Sequence, residues 1–86
     1  MRFDWDAHNR KKVAAHGVTT EEFEQAFQNR RVLGQTLAGL ERRKVAFGHT
    51  EAGRFLAMIY TMRSGKARPI TAYESRKARQ VWQQKP

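Results

Sequence analysis

The hydrophobic positions of this chain change period along its length. Residues 2–5, RFDW, alternate and set Phe3 and Trp5 on one side, which predicts a short first strand. Asp6 is placed to cap a helix over 7–15, and Gly17 suits a left-handed stop just beyond it. The stretch VTTEEFEQAF is a stronger signal. Thr19 and Glu22 have capping-box spacing, Val18 can staple onto Phe23, and Phe23, Ala26 and Phe27 share a face at helical period. This predicts a helix over 20–29, with Glu21, Glu22 and Glu24 near its positive end.

Beyond residue 30 the period shortens to two. RVLGQ (31–35) and RRKVAFG (42–48) read as strands, HTEAG (49–53) as a loop, and RFLAMIYTM (54–62) as a central strand covered on both faces. RSGK then turns the chain into ARPITAY (67–73), a strand that Pro69 assigns to an edge or a strand start. Ser75 is a cap for a last helix with Ala78, Val81 and Trp82 as its apolar stripe. The expected fold is α+β: a compact antiparallel sheet of about four strands, flanked by two N-terminal helices and one C-terminal helix.

Composition narrows the function. The 86 residues suit one domain over 1–86 with a thin core and no room for a deep cofactor cavity. Seventeen Lys and Arg against eight Asp and Glu give a formal net charge of +9. The charge is graded: residues 1–29 carry four basic and five acidic side chains, residues 30–62 six and two, residues 63–86 seven and one. Such a gradient reads either as a solvated basic face or as a surface for a polyanion. Cysteine is absent, which excludes disulfides and cysteine-based zinc sites. No apolar run approaches the ~20 residues of a membrane span, and MRFDWDAHNRKK has no signal-peptide core, so a cytoplasmic protein with no membrane partner is expected.

Strand periodicity distributes the candidate chemistry. On 54–62 one face carries Arg54, Leu56, Met58, Tyr60 and Met62, and the other Phe55, Ala57, Ile59 and Thr61, followed by Arg63. Arg68 shares a face of the last strand with Ile70, opposite Thr71 and Tyr73; Arg76 and Arg79 lie together on the last helix, away from Trp82. One helix does not clothe such a sheet, so part of it should stay open, rimmed by a single convergent patch of these arginines. The guanidinium fork binds two phosphate oxygens at once and stays charged. Tyr60 and Tyr73 read either as stacking platforms for unpaired bases or as half-buried packing; Trp5 and Trp82 read as core. His8, His16 and His49 lack metal-ligand spacing and a carboxylate cluster, so neither a metal nor a cofactor is expected. His16, beside Gly17, reads either as a favourable charge at a helix end or as a phosphate or proton-transfer group. The basic half has no paired carboxylates, since Glu41, Glu51 and Glu74 are its only acids. An enzyme so equipped suits RNA, whose 2′-hydroxyl is a built-in nucleophile and whose cleavage needs alignment, fixed charge and a modest proton shuttle.

The order FDWD…HGVTTEEFEQAF…RKVAFGHTEAGRFLAMIYTMR…RPITAYESRKAR resembles the BrnT-type toxins of bacterial type II toxin–antitoxin systems over nearly the whole chain. That resemblance implies a RelE-like ribonuclease fold and a metal-independent endoribonuclease that blocks translation. It also implies a cognate antitoxin, usually of the ribbon-helix-helix type, through which alone the toxin meets DNA. The expected roles are Arg63, Arg68, Arg76 and Arg79 on phosphate, Arg54 and Tyr73 on RNA, and His16 and Tyr60 in proton transfer or base stacking. The family commonly has lysine before His-Gly, where this chain has Ala15; Lys11 and Lys12, one turn earlier, stand in for it. It often has arginine where this chain has Tyr73. These departures carry the alternative expectation: a non-catalytic nucleic-acid-binding module, or an inactivated toxin that still pairs with an acidic partner.

Overall fold

The computed structural model describes residues 1–38 and 41–83. Its elements are α1 (Ala7–Ala15), α2 (Thr20–Gln28), β1 (Arg31–Ala38), β2 (Glu41–His49), β3 (Phe55–Arg63), β4 (Lys66–Glu74) and α3 (Arg76–Gln83). The four strands form one antiparallel meander in the order β1-β2-β3-β4. This is the expected α+β arrangement, with β1 running further than residue 35.

Local sequence sets the helix boundaries as the pattern predicted. Asp6 caps α1 by accepting from Asn9 N at 2.8 Å, while Asn9 Oδ1 accepts in turn from Asp6 N at 2.8 Å. Thr19 and Glu22 close the equivalent box on α2, at 3.0 Å in each direction. Ser75 Oγ accepts from Ala78 N at 3.1 Å to start α3. Gly17 takes φ +72° after α1. The β3–β4 hairpin turns through Ser64 and Gly65 at φ 52° and 75°, the paired left-handed residues that a two-residue turn between twisted strands requires.

The predicted strand at residues 2–5 is not a strand. Phe3 makes one parallel bridge to Ala67, through Ala67 N to Arg2 O and Asp4 N to Ala67 O, each 2.9 Å. The next rung would need an N–H from residue 69, and Pro69 has none. The Asp4 carbonyl accepts from the Asn9 side chain instead, at 2.9 Å. Phe3 and Trp5 still turn inward, edge-on to Phe27 at 5.2 Å and to Phe23 at 5.4 Å between ring centroids.

Two cores follow from the alternation of β3. Leu56, Met58 and Tyr60 join Val13, Val18, Phe23, Ala26 and Phe27 beneath α1 and α2. Phe47, Ala57 and Phe55 meet Ala78 and Val81 of α3 on the opposite face. Gly48 lets α2 sit directly on β2, since a Cβ there would overlap the Ala26 carbonyl. The helix α3 covers only the end of its face near Phe47 and Ala57. Val45, Ile59 and Thr71, in register with one another across β2, β3 and β4, stay half-exposed there.

Candidate functional site

Arg54 organises one end of the sheet. It stands just before β3, and its fork reaches three separate pieces of chain. Nη1 donates to Glu22 Oε2 at 2.6 Å and to the Gly17 carbonyl at 3.1 Å; Nε and Nη2 donate to Glu74 Oε1 at 3.2 Å each. The α1–α2 turn, the α2 cap and the end of β4 are thereby tied together. The Thr19 backbone N–H, and after it Arg54, hold the Glu22 carboxyl below its ordinary range. Glu22, and after it Glu74, push the Arg54 guanidinium further up.

This tie brings together residues that lie far apart in the chain. His16 ends α1 beside the Gly17 carbonyl, and its ring lies 6.1 Å from that of Tyr73, centroid to centroid, next to Glu74. Glu74 also lines a groove of about 390 Å³, together with Phe55, Ser75, Arg76 and Arg79. The Arg79 guanidinium lies over the Phe55 ring at 5.4 Å. The first turn of α3 holds Arg76 and Lys77 and no acid. Cations at the positive end of a helix repel its dipole, and an anion seated there relieves them both.

The arginines do not form one patch. Arg68 turns to the N-terminal segment, where Nη2 donates to Asp6 Oδ2 at 2.6 Å and Nη1 to Asp4 Oδ2 at 3.3 Å. The Asn9 backbone N–H, then Arg68, hold the Asp6 carboxyl below its ordinary range. Asp6, and after it Asp4, push the Arg68 guanidinium up. Arg63 pairs with Lys66 at the β3–β4 turn, whereas Leu56 pairs with Glu74 at the opposite end. Seven residues of strand separate the two ends by about 24 Å. Antiparallel pairing therefore divides the predicted patch: Arg54, Arg76 and Arg79 stand at one end, Arg63 and Arg68 elsewhere.

Tyr60 is also elsewhere. It is 1% exposed and packs edge-on to Phe27 at 4.8 Å, so its ring has no face to offer a base. Of the two tyrosines, Tyr73 is the exposed one, at 42%. Phe55 and Glu74 are the members of the site that sequence reading passed over. Phe55 read as a core residue of a buried strand; Glu74 was visible as the only acid after residue 62.

Residues 5–79 match the family model for the ribonuclease toxin BrnT of type II toxin–antitoxin systems. The chain belongs to the BrnT toxin family. Among curated proteins no match is found. The BrnT family is one of ribonuclease toxins, with RNA as substrate and a cognate antitoxin as partner. Two residues that the resemblance brought forward, Lys11 and Lys12, stand exposed on α1 of this BrnT chain. They line a shallow depression with His8 and Ala15, and Lys12 also lines a second one with Arg43 and Arg68. Neither lysine lines the groove at Arg76. No helix among the described residues is long and apolar enough to cross a membrane.

Proposed function

We propose that this BrnT toxin binds single-stranded RNA across the end of the sheet at Arg54 and cleaves it there without a metal ion. The observation that carries this reading is the Arg54 fork, which joins the turn bearing His16 to the end of β4, beside a groove lined by Arg76 and Arg79. The two guanidinium groups and the start of α3 hold the scissile phosphate and stabilise the charge that grows on its oxygens. The 2′-hydroxyl oxygen attacks phosphorus, the P–O5′ bond breaks, and His16 as imidazolium gives its proton to the departing O5′. The products are a 2′,3′-cyclic phosphate and a 5′-hydroxyl end. Tyr73 offers its exposed ring to a neighbouring base. Arg54 itself is committed to Glu22, Glu74 and Gly17 and acts by positioning.

The toxin works in the cytoplasm, where messenger RNA is translated. Its antitoxin, of ribbon-helix-helix type, covers the cationic groove with acidic side chains and provides the only route to DNA. Purified protein free of antitoxin is expected to cut RNA in a chelating buffer and leave cyclic-phosphate ends, with Arg76→Ala and His16→Ala slower by about 10²-fold or more. RNA recovered uncut, together with no growth arrest on expression, overturns the catalytic reading. Tyr73 beside His16, where the resemblance has arginine, favours a second reading in that case: a toxin that still binds RNA and antitoxin but no longer cuts.

A further inference from the structure

Cleavage by the 2′-hydroxyl also requires an acceptor for that hydroxyl's proton, and on the proposed ribonuclease reading the groove offers one. Glu74 is the only carboxylate among the residues that line it. Its neighbour Glu22 has both oxygens occupied, Oε1 by Thr19 N at 3.0 Å and Oε2 by Arg54 at 2.6 Å. Glu74 differs. Arg54 binds Oε1 alone, through Nε and Nη2 at 3.2 Å each, and among the described residues Oε2 has no protein donor. The side chain is 63% exposed; it follows Tyr73, whose ring lies 6.1 Å from that of His16, and it lines the groove with Arg76 and Arg79. Of the other acids, Asp4 and Asp6 are engaged on Arg68 and Glu24 on the Trp5 indole at 2.8 Å, Glu51 lines a groove with Gln25 and His49, and Glu21 stands in the first turn of α2; none of these five lines the groove at Arg76.

We propose that Glu74 is the general base of this toxin. Its free oxygen takes the proton of the substrate 2′-hydroxyl as O2′ bonds to phosphorus. The electron pair of the P–O5′ bond leaves with O5′, which collects its proton from His16. One turnover therefore ends with Glu74 protonated and His16 neutral, and exchange with water restores both. No oxidant, reductant or second substrate enters the balance. Arg54 is the positioning residue: it holds Glu74 by Oε1 and so leaves Oε2 as the oxygen without a protein donor among the described residues. A carboxylate poised by an arginine, with a histidine as the opposite acid, is a complete proton circuit for a substrate that carries its own nucleophile.

The test uses the full chain, a defined RNA oligonucleotide and single-turnover rates across pH. Glu74→Gln should cut about 10²–10⁴-fold more slowly than the unaltered protein and lose the acidic limb of the pH–rate profile, with the alkaline limb kept. Glu74→Asp should recover part of the rate and the limb with it. Glu22→Gln breaks the other strong bond of Arg54 and leaves the base in place, so it should lower thermal stability yet keep the acidic limb. Binding of a 2′-O-methyl oligonucleotide, which cannot be cut, should survive Glu74→Gln, because removal of a negative charge does not weaken a phosphate site. If the unaltered protein cuts RNA and Glu74→Gln cuts as fast with the same pH profile, the base assignment is overturned and the ribonuclease reading stands. If the unaltered protein leaves RNA intact, both fall together.

Discussion

Arg54 and Glu22 meet at 2.6 Å across 32 residues of chain, with their side chains 29% and 22% exposed. The pair sits where α2 begins and β3 is about to begin, so it couples helix capping to sheet assembly. Being half-withdrawn from water, it exceeds the small effect of a solvent-exposed ion pair. Arg54→Ala leaves Glu22 Oε2, the Gly17 carbonyl and Glu74 without their donor. The expected cost is about 1–2 kcal/mol, which for a domain of this size lowers Tm by roughly 5–15 °C. A melting curve followed by circular dichroism measures it, and a shift under about 2 °C removes Arg54 from its organising role.

The same carboxylate links stability to acidity. Thr19 N–H and Arg54 hold Glu22 below the ordinary glutamate value of 4.5, and Asn9 N–H and Arg68 hold Asp6 below the ordinary aspartate value of 3.8. In the unfolded chain both acids take up protons at the ordinary values. Between there and the lower folded values the unfolded state binds more protons, so stability falls as pH falls. Their contribution is complete above about pH 5 and is lost below it. Urea midpoints measured from pH 7 to pH 3 should hold level and then drop, and Glu22→Gln should drop less steeply. An identical slope for the two proteins rules Glu22 out as a source of the acid sensitivity.

What was legible in the sequence was what a few neighbouring residues decide. The boxes at Asp6–Asn9 and Thr19–Glu22, the Ser75 cap and the left-handed Ser64–Gly65 turn are local bargains between a side chain and the nearest backbone. The period of β3 likewise set Leu56, Met58 and Tyr60 on one face before any partner was known. The arginines were misread because their partners are remote. Nothing near Arg68 announces Asp4 and Asp6, which lie 64 and 62 residues away. The separation of Arg63 from Arg76 was implicit in the RSGK turn, since a hairpin sends the two ends of β3 to opposite ends of the sheet. Charge counting along the chain discards that geometry.

Gly48 is a packing requirement of a different kind. A Cβ there would overlap the Ala26 carbonyl oxygen and lie 2.8 Å from the Ala26 carbonyl carbon, both of them backbone atoms that cannot rotate away. Gly48→Ala must push α2 off β2 and open the core around Phe27. The expected loss is about 3 kcal/mol or more, enough to deplete soluble folded protein. Gly34→Ala is the control: a Cβ there meets nothing within 4 Å, and the change should stay within about 1 kcal/mol. Equal behaviour of the two variants in denaturant would show that α2 does not rest on β2 as described.

Net charge and site geometry make different forecasts for RNA affinity. If total charge governs binding, every arginine removed weakens it alike. If the groove at α3 governs it, only its own arginines count. Binding of a 2′-O-methyl oligonucleotide, titrated at several salt concentrations, separates the two. Arg76→Ala and Arg79→Ala each remove one phosphate contact and should reduce the slope of log affinity against log salt by about 0.7. Arg63→Ala takes the same charge from the far turn, about 24 Å along the strand, and should leave the slope as it was. A uniform reduction across all three variants would mean that RNA reads the protein as a diffuse cation, and the groove lined by Phe55, Glu74, Arg76 and Arg79 would lose its claim to the scissile phosphate.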